Sequence, residues 1–219
     1  MSDRRYFVVG DIHGCYDKLV KLLGRLDWRP DGDDYLVFLG DYIDRGPQSY
    51  EVVDTLADLA GRSAKVVALM GNHEDMFLRY VRGEFEPSLH ENGFSATLKN
   101  YAENGFSATL RSYAGNMPVE HMRFLRGLLP FYEAEGHIFV HAGLQPGLPL
   151  AAQSLQDMLW IRDEFLRSDH DFGRLVVFGH TPFKRPFLAP GRLGLDTGAV
   201  FGGPLTCAVL PDLHFITSD

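Results

Sequence analysis

The chain has 219 residues, 45% of them hydrophobic and 23% charged, with a formal net charge of -8. This length fits one medium domain with its own core, and no apolar run approaches the length of a bilayer span. The acidic balance excludes a general nucleic-acid binder, whose phosphate contacts need clustered Lys and Arg; an acidic chain can still hold a small anion if it carries its own cations.

The segment before Gly10 offers only Tyr6, Phe7, Val8 and Val9 as an apolar run, too short for a signal-peptide core, so a cytoplasmic chain is expected. Tyr6 to Val9 reads as a buried strand that ends in Gly10-Asp11-Ile12-His13-Gly14. Cys15 follows; it and Cys207 lie in no paired-cysteine spacing and are read as reduced thiols. Leu19, Val20, Leu22, Leu23 and Leu26 then recur at helical spacing. Asp31 to Asp34 is an acidic turn, since the spacing of a calcium loop fails when Tyr35 opens the next strand.

Tyr35 to Leu39 leads into Gly40-Asp41-Tyr42-Ile43-Asp44-Arg45-Gly46, and Val52, Val53, Leu56, Leu59 and Ala60 mark a second helix. Lys65 to Met70 leads into Gly71-Asn72-His73-Glu74, from which a third helix continues to Tyr80. Residues 91–102 are repeated almost unchanged as 103–114, beginning Glu-Asn-Gly-Phe-Ser-Ala-Thr-Leu in both copies. Twelve residues leave the copies about 120° apart on one continuous helix, so two short helices broken near Gly105 are expected. A tolerated duplication in a surface segment is preferred to a partner-binding cap. Glu120 to Leu128 carries another apolar stripe, on Met122, Leu125 and Leu129.

Ile138 to Val140 leads into His141-Ala142-Gly143, and Leu175 to Phe178 into Gly179-His180-Thr181-Pro182. Three short runs, Leu193 to Leu195, Leu205 to Leu210 and Leu213 to Ile216, read as antiparallel strands finishing a second sheet. The sequence thus predicts a single α/β domain over 1–219, with a helical insert at about 84–118. Strands alternating with helices are parallel, and their carboxyl ends face one edge, where open α/β sheets bind ligands. The scattered polar clusters therefore converge.

Taken singly, each cluster has a plain reading. Asp-Ile-His-Gly is a strand-to-helix turn, and Gly-Asn-His-Glu is a helix start with Glu74 near the positive end of the dipole. Together, Asp11, Asp41 and Asp44 beside several imidazoles at one edge would repel one another without cations. A phosphatase centre needs hard oxygen and imidazole ligands around two ions about 3.5–4 Å apart, with one carboxylate shared. Asp11 and His13 can reach one ion, Asp41 can bridge, and Asn72, His141 and His180 can complete the second. His90, His121, His137, His170 and His214 lie outside the clusters and are read as structural or surface groups. Asp196-Thr197-Gly198 mimics an aspartic-protease triplet, but no second copy exists to share a proton.

In this order the motifs resemble the PPP family of phosphoprotein phosphatases, in its bacterial and bacteriophage branch, over about residues 6 to 210. The resemblance implies the calcineurin-like architecture, two mixed β-sheets packed as a sandwich and flanked by α-helices. It implies Asp11, His13 and Asp41 as ligands of one ion, and Asp41, Asn72, His141 and His180 as ligands of the other. It implies His73 as a general acid oriented by Asp44, Arg45 as a grip on phosphate and Arg162 as a second clamp. It also places Asp196 to Gly198 where the core closes near the site. Two divalent ions are expected, manganese first, with Fe, Zn, Ni, Co or Mg as other candidates.

The activity so implied is hydrolysis of phosphoserine or phosphothreonine esters, with phosphotyrosine open, by a hydroxide bridging the ions. A phosphoprotein or phosphopeptide is then the substrate and inorganic phosphate the product, with no nucleic-acid or membrane partner and a monomer favoured. The nearest alternative is a symmetric dinucleoside-polyphosphate hydrolase. Against it stand Asp44, where that group usually has Ala, and Glu74 in place of Asp. The duplicated segment departs from the resembled family, since similar bacterial phosphatases carry one such stretch, often with a second Gly where this chain has Phe94 and Phe106, and this bears on how the site is covered and what size of substrate enters. A non-catalytic phosphopeptide-binding relic is the alternative of another class, and it should have lost ligands that this chain keeps.

Overall fold

The computed structural model describes residues 4–84, 93–104 and 117–219. Half of the tandem repeat, including its expected break near Gly105, lies outside the described residues. Strands β1 (Tyr6–Val9), β2 (Tyr35–Phe38) and β3 (Val66–Ala68) pair in parallel, as the alternation with α1 (Tyr16–Leu23) and α2 (Ser49–Arg62) requires. Strands β4 (Phe131–Ala134), β5 (His137–Val140), β6 (Leu175–Phe178), β7 (Phe187–Ala189) and β8 (Arg192–Gly194) form a second mixed sheet in the order β4-β5-β6-β8-β7.

The two sheets pack face to face because their strands are apolar on both sides. In β1, Tyr6 and Val8 join Val37, Phe139, Val177 and Leu193 in the core between the sheets. Phe7 and Val9 point the other way, into a core shared with α1, α2, α3 (Asn72–Val81), α4 (Phe94–Glu103) and α5 (Val119–Arg126). Behind the second sheet, Ile138, Val140, Val176 and Phe178 pack on Met158 of α6 (Leu155–Trp160) and Phe165 of α7 (Asp163–Leu166). Burial on both faces turns a strand into a continuous apolar run, which is how these strands read in the sequence.

One expectation needs correction. Of the three C-terminal runs, β8 alone enters the second sheet, and it lies parallel to β6. Strands β9 (Thr206–Leu210) and β10 (His214–Thr217) instead complete the first sheet, in the order β10-β9-β1-β2-β3. The reason is burial. Cys207 and Val209 fill the helix-side core while Ala208 and Leu210 fill the inter-sheet core, so β9 needs an interior place, which the open edge of β1 supplies. The strands β4 and β7 were not legible in the sequence; β4 pairs antiparallel with β5 and β7 with β8, at the outer edges of the second sheet.

Candidate metal centre

The polar clusters that follow β1, β2, β3, β5 and β6 meet at one edge of the sandwich. Backbone bonds stitch them together: Ile12 and His13 N–H both donate to the Asp41 carbonyl, at 3.0 and 2.8 Å, and Gly179 N–H donates to the His141 carbonyl at 2.7 Å. Side chains continue the weave. His180 N–H donates to both carboxylate oxygens of Asp11, at 3.1 and 3.0 Å, and His73 N–H to Asp41 Oδ1 at 3.2 Å. The approach is close enough to require glycine. A Cβ on Gly71 would stand 2.2 Å from Asp41 Oδ1, and one on Gly179 would stand 2.1 Å from Asp11 Oδ1.

Backbone strain concentrates here. His13, Asp41, Asp44, Arg45 and His180 adopt φ of 46°, 54°, 71°, 66° and 63°, a region that costs a non-glycine residue about 1–3 kcal/mol and persists where surroundings over-determine it. Glu74 is one such determinant. From the first turn of α3 its carboxylate accepts N–H bonds from Gly71, Asp41, Tyr42 and Ile43, between 2.8 and 3.2 Å, and so moulds the loop that carries Asp41. Read from sequence as a dipole-facing helix start, Glu74 is also the peg of the second cluster; its place three residues after the Gly71 cap was the available signal.

The imidazoles share one pattern. His13 donates from Nδ1 to the Ile43 carbonyl at 2.9 Å, His141 from Nδ1 to the Leu39 carbonyl at 2.9 Å, and His73 pairs Nδ1 with Asp44 Oδ2 at 2.7 Å. Each outer bond orients its ring and turns Nε2 inward; on His13 and His141, whose Nδ1 donates to a carbonyl, that leaves an inward lone pair, as metal-binding histidines require. His13 Nε2 lies 3.2 Å from Asp41 Oδ2, and His141 Nε2 lies 3.4 Å from Asp41 Oδ1 and 3.0 Å from Asn72 Oδ1. His73 Nε2 is buried 3.9 Å from Asp41 Oδ2 and has no hydrogen-bond partner among the described residues.

Lone pairs converging on a buried carboxylate, with one nitrogen orphaned, are a donor set for cations. Two groups could hold them: His13, Asp41 and His73, and Asp41, His141 and His180, each with its ligand atoms within 4.8 Å of one another. Asp41 belongs to both. The first group takes in His73, while Asp11 stands beside it, bonded to the His180 backbone. His180 differs from the other rings, with Nδ1 3.1 Å from Asn72 Oδ1 and Nε2 accepting from Arg162 Nε at 3.2 Å. Arg162 is therefore at the rim of the site, and Arg45 reaches it too, its Nη1 against His13 Nε2.

Electrostatics favour the same reading. Asp11, Asp41, Asp44, Glu74 and Asp196 are all buried. Burial, then the charges of Asp196 and Asp41, pushes Asp11 well above the ordinary carboxylate range; burial and Asp41 push Glu74 up to about 8. Burial opposes ionisation of Asp41 as well, but the surrounding imidazoles of His141, His73 and His13 hold it well below that range. Burial pushes His141 down, and His180 down to about 3, which favours the neutral rings that ligate, while against its burial His13 is drawn up by Asp41. Such crowding of buried acids is relieved by positive charge placed among them.

The remaining histidines stay outside. His121 is buried between the Tyr101 hydroxyl at 3.0 Å and Asp54 at 3.1 Å; His170 and His214 are exposed. His90 lies outside the described residues. Asp196 is held on the Gly198 N–H at 2.9 Å, close enough for its charge to act on Asp11, so the segment read as a protease decoy contributes to the site. Thr97 and Ser49, which brace Asp44, had no signal in the sequence.

Residues 4–215 match the family model of the calcineurin-like phosphoesterases. Among similar curated proteins, the bis(5'-nucleosyl)-tetraphosphatase PrpE (asymmetrical) of Geobacillus sp. (strain WCH70) is 28% identical, the alignment covering 96% of this chain and 92% of that protein. A crystal structure provisionally described as a diadenosine tetraphosphatase is 26% identical with a TM-score of 0.73, covering 97% of this chain and 92% of its own. A cold-active protein tyrosine phosphatase, at 18% identity and a TM-score of 0.71, covers 100% of this chain and 79% of its own, and shares the fold. The chain belongs to the calcineurin-like phosphoesterase family, metal-dependent phosphoesterases built on a binuclear divalent centre.

Proposed function

We propose that the chain hydrolyses dinucleoside polyphosphates, cleaving diadenosine tetraphosphate asymmetrically to AMP and ATP. The observation that carries this reading is full-length similarity to PrpE tetraphosphatases named as asymmetrical, with 92% of the Geobacillus protein covered. Asp44 and Glu74 stand against a symmetric hydrolase and leave the asymmetrical kind open. Phe201 adds support. Its ring is 66% exposed and lies 5.6 Å from the Arg45 guanidinium, an aromatic face beside a phosphate grip on which a base can stack.

In this reading Asp11, His13 and Asp41 would hold one divalent ion and Asp41, Asn72, His141 and His180 the other, with manganese suited to the mixed nitrogen and oxygen set. Bound there, the ions would supply Lewis acidity and a water acidic enough to attack near neutral pH. Arg45 and Arg162 face the phosphate with planar guanidinium forks and offset the charge that develops in the transition state. His73, protonated at Nε2, donates to the leaving oxygen, and Asp44 on Nδ1 balances the imidazolium. The exposed guanidinium of Arg45 supports a reaction at the strand-end edge, where a charged phosphate chain can reach it.

Hydrolysis of a phosphoserine, phosphothreonine or phosphotyrosine ester is the second reading, favoured by the His73–Asp44 pair itself. An alkoxide leaving group needs a proton donor far more than a leaving phosphate, whose own pKa is only about 6. The test is direct. Purified protein with manganese is given diadenosine tetraphosphate and a phosphopeptide side by side, and products are resolved by chromatography. AMP with ATP from the dinucleotide supports the proposal. Paired ADP points to symmetric cleavage, and phosphate from the peptide with the dinucleotide untouched moves the assignment to the second reading.

A further inference from the structure

The turn that carries both Asp44 and Arg45 is strained at consecutive residues, with φ of 71° and 66°, and neither is glycine. Something must hold it, and α4 does so at several points. Gly93, which precedes α4 and has φ of 84°, accepts the Arg45 N–H on its carbonyl at 3.2 Å. One turn into the helix, the Thr97 hydroxyl receives the Asp44 N–H at 2.8 Å and donates its own proton to Asp44 Oδ1 at 2.6 Å. A further turn on, Asn100 Oδ1 accepts the Tyr50 N–H at the start of α2, at 2.6 Å. Gly93, Thr97 and Asn100 stand at helical spacing on one face, and Thr97 is fully buried.

Asp44 has two carboxylate oxygens, and the structure gives each a separate task. Oδ2 holds His73 Nδ1 at 2.7 Å and Oδ1 holds Thr97. With the carboxylate pinned at one oxygen and its backbone fixed by the same hydroxyl, the other oxygen has one direction left, toward His73. Ser49 Oγ, 3.1 Å from Thr97 Oγ1 and 3.2 Å from Asp44 N, completes a buried chain of hydroxyls. A satisfied buried network of this kind over-determines geometry.

We propose that Thr97 is a positioning residue for the reaction: through Asp44 it aims His73, and through α4 it makes the first copy of the duplicated segment part of the active-site framework. This rests on the reading of His73 as the proton donor. The first copy of the duplicated stretch is then no passive surface insertion, since it supplies the group on which the dyad leans.

The test uses the manganese-loaded protein carrying Thr97→Val, Thr97→Ser, Asp44→Asn and the Thr97→Val/Asp44→Asn pair. Substrates are diadenosine tetraphosphate, p-nitrophenyl phosphate and an alkyl phosphate whose leaving group is a far stronger base. Thr97→Val is expected to lower kcat for the alkyl phosphate by about tenfold or more, with a smaller loss on the p-nitrophenyl ester. KM and bound metal should be unchanged, and Thr97→Ser should recover most of the loss. In the Asp44→Asn background, Thr97→Val should add nothing further. If Thr97→Val does not fold, Thr97→Ala takes its place.

Wild-type kcat in Thr97→Val, equal loss on both esters, or multiplying losses in the pair would overturn the positioning role while the dyad stands. Unchanged kcat in Asp44→Asn would overturn the dyad reading and the inference with it.

Discussion

His73 occupies two positions at once, a ring nitrogen bound to Asp44 at 2.7 Å and an orphaned one 3.9 Å from the shared carboxylate of Asp41. Geometry alone lets that second nitrogen ligate an ion or carry a proton, and the two roles part on mutation. If His73 is the proton donor, His73→Ala lowers turnover about 100-fold or more while the protein still binds two ions per chain. Loss of one ion, measured by elemental analysis, would make it a ligand; undiminished turnover would end its role as acid. Glu74 offers a second residue-level test, because its carboxylate accepts from N–H groups on both sides of the site. Measured above pH 8, where Glu74 is ionised, Glu74→Gln turns one acceptor oxygen into a donor facing donors and should cost about 1–3 kcal/mol in chemical denaturation. A loss within experimental error would show that the Asp41 loop holds itself.

At the scale of elements, the parallel strands of the first sheet and the two that carry His141 and His180 could be read from the sequence, because burial on both faces writes a strand as an unbroken apolar run ending in Gly or His. The residues proposed to hold the ions were picked out for the same reason: Asp11, His13, Asp41, Asn72, His141 and His180 sit immediately beyond those runs, and His13, Asp41, His141 and His180 come together in the groups that could hold a cation. What was not legible depends on pairing. Nothing in Thr206 to Leu210 says which sheet it enters; that is decided by the open edge of β1 and by Cys207 and Ala208 finding different cores. Nor could local pattern show that Thr97, 53 residues from Asp44, would meet it. Close packing of elements is itself testable at Gly71, where the β2 loop crosses the start of α3. Gly71→Ala places a methyl 2.3 Å from the Asp41 nitrogen and should lower stability by about 1–3 kcal/mol and weaken metal binding, read by thermal unfolding with and without manganese. Full stability with wild-type affinity would mean that the loop has room to shift.

For the whole molecule, two sheets and their helices serve to bring buried acids and imidazoles to one edge, at a cost in mutual repulsion that cations relieve. The surface around that edge then selects the substrate. Phe201 beside Arg45 should matter to a nucleotide and not to a small phosphate ester, so Phe201→Ala is expected to raise KM for diadenosine tetraphosphate about tenfold and leave p-nitrophenyl phosphate unaffected. Equal effects on both would remove the base-stacking role.

The dimetal centre is tested most directly by metal content paired with turnover. Protein as purified, and after exhaustive chelation and return of manganese, is analysed for ions per chain while its cleavage of diadenosine tetraphosphate is followed. The expected result is close to two ions per chain, turnover lost on chelation and regained with manganese, and both ions weakened together by Asp41→Asn. Turnover that survives chelation with no ion bound, or a single ion untouched by Asp41→Asn, would contradict it.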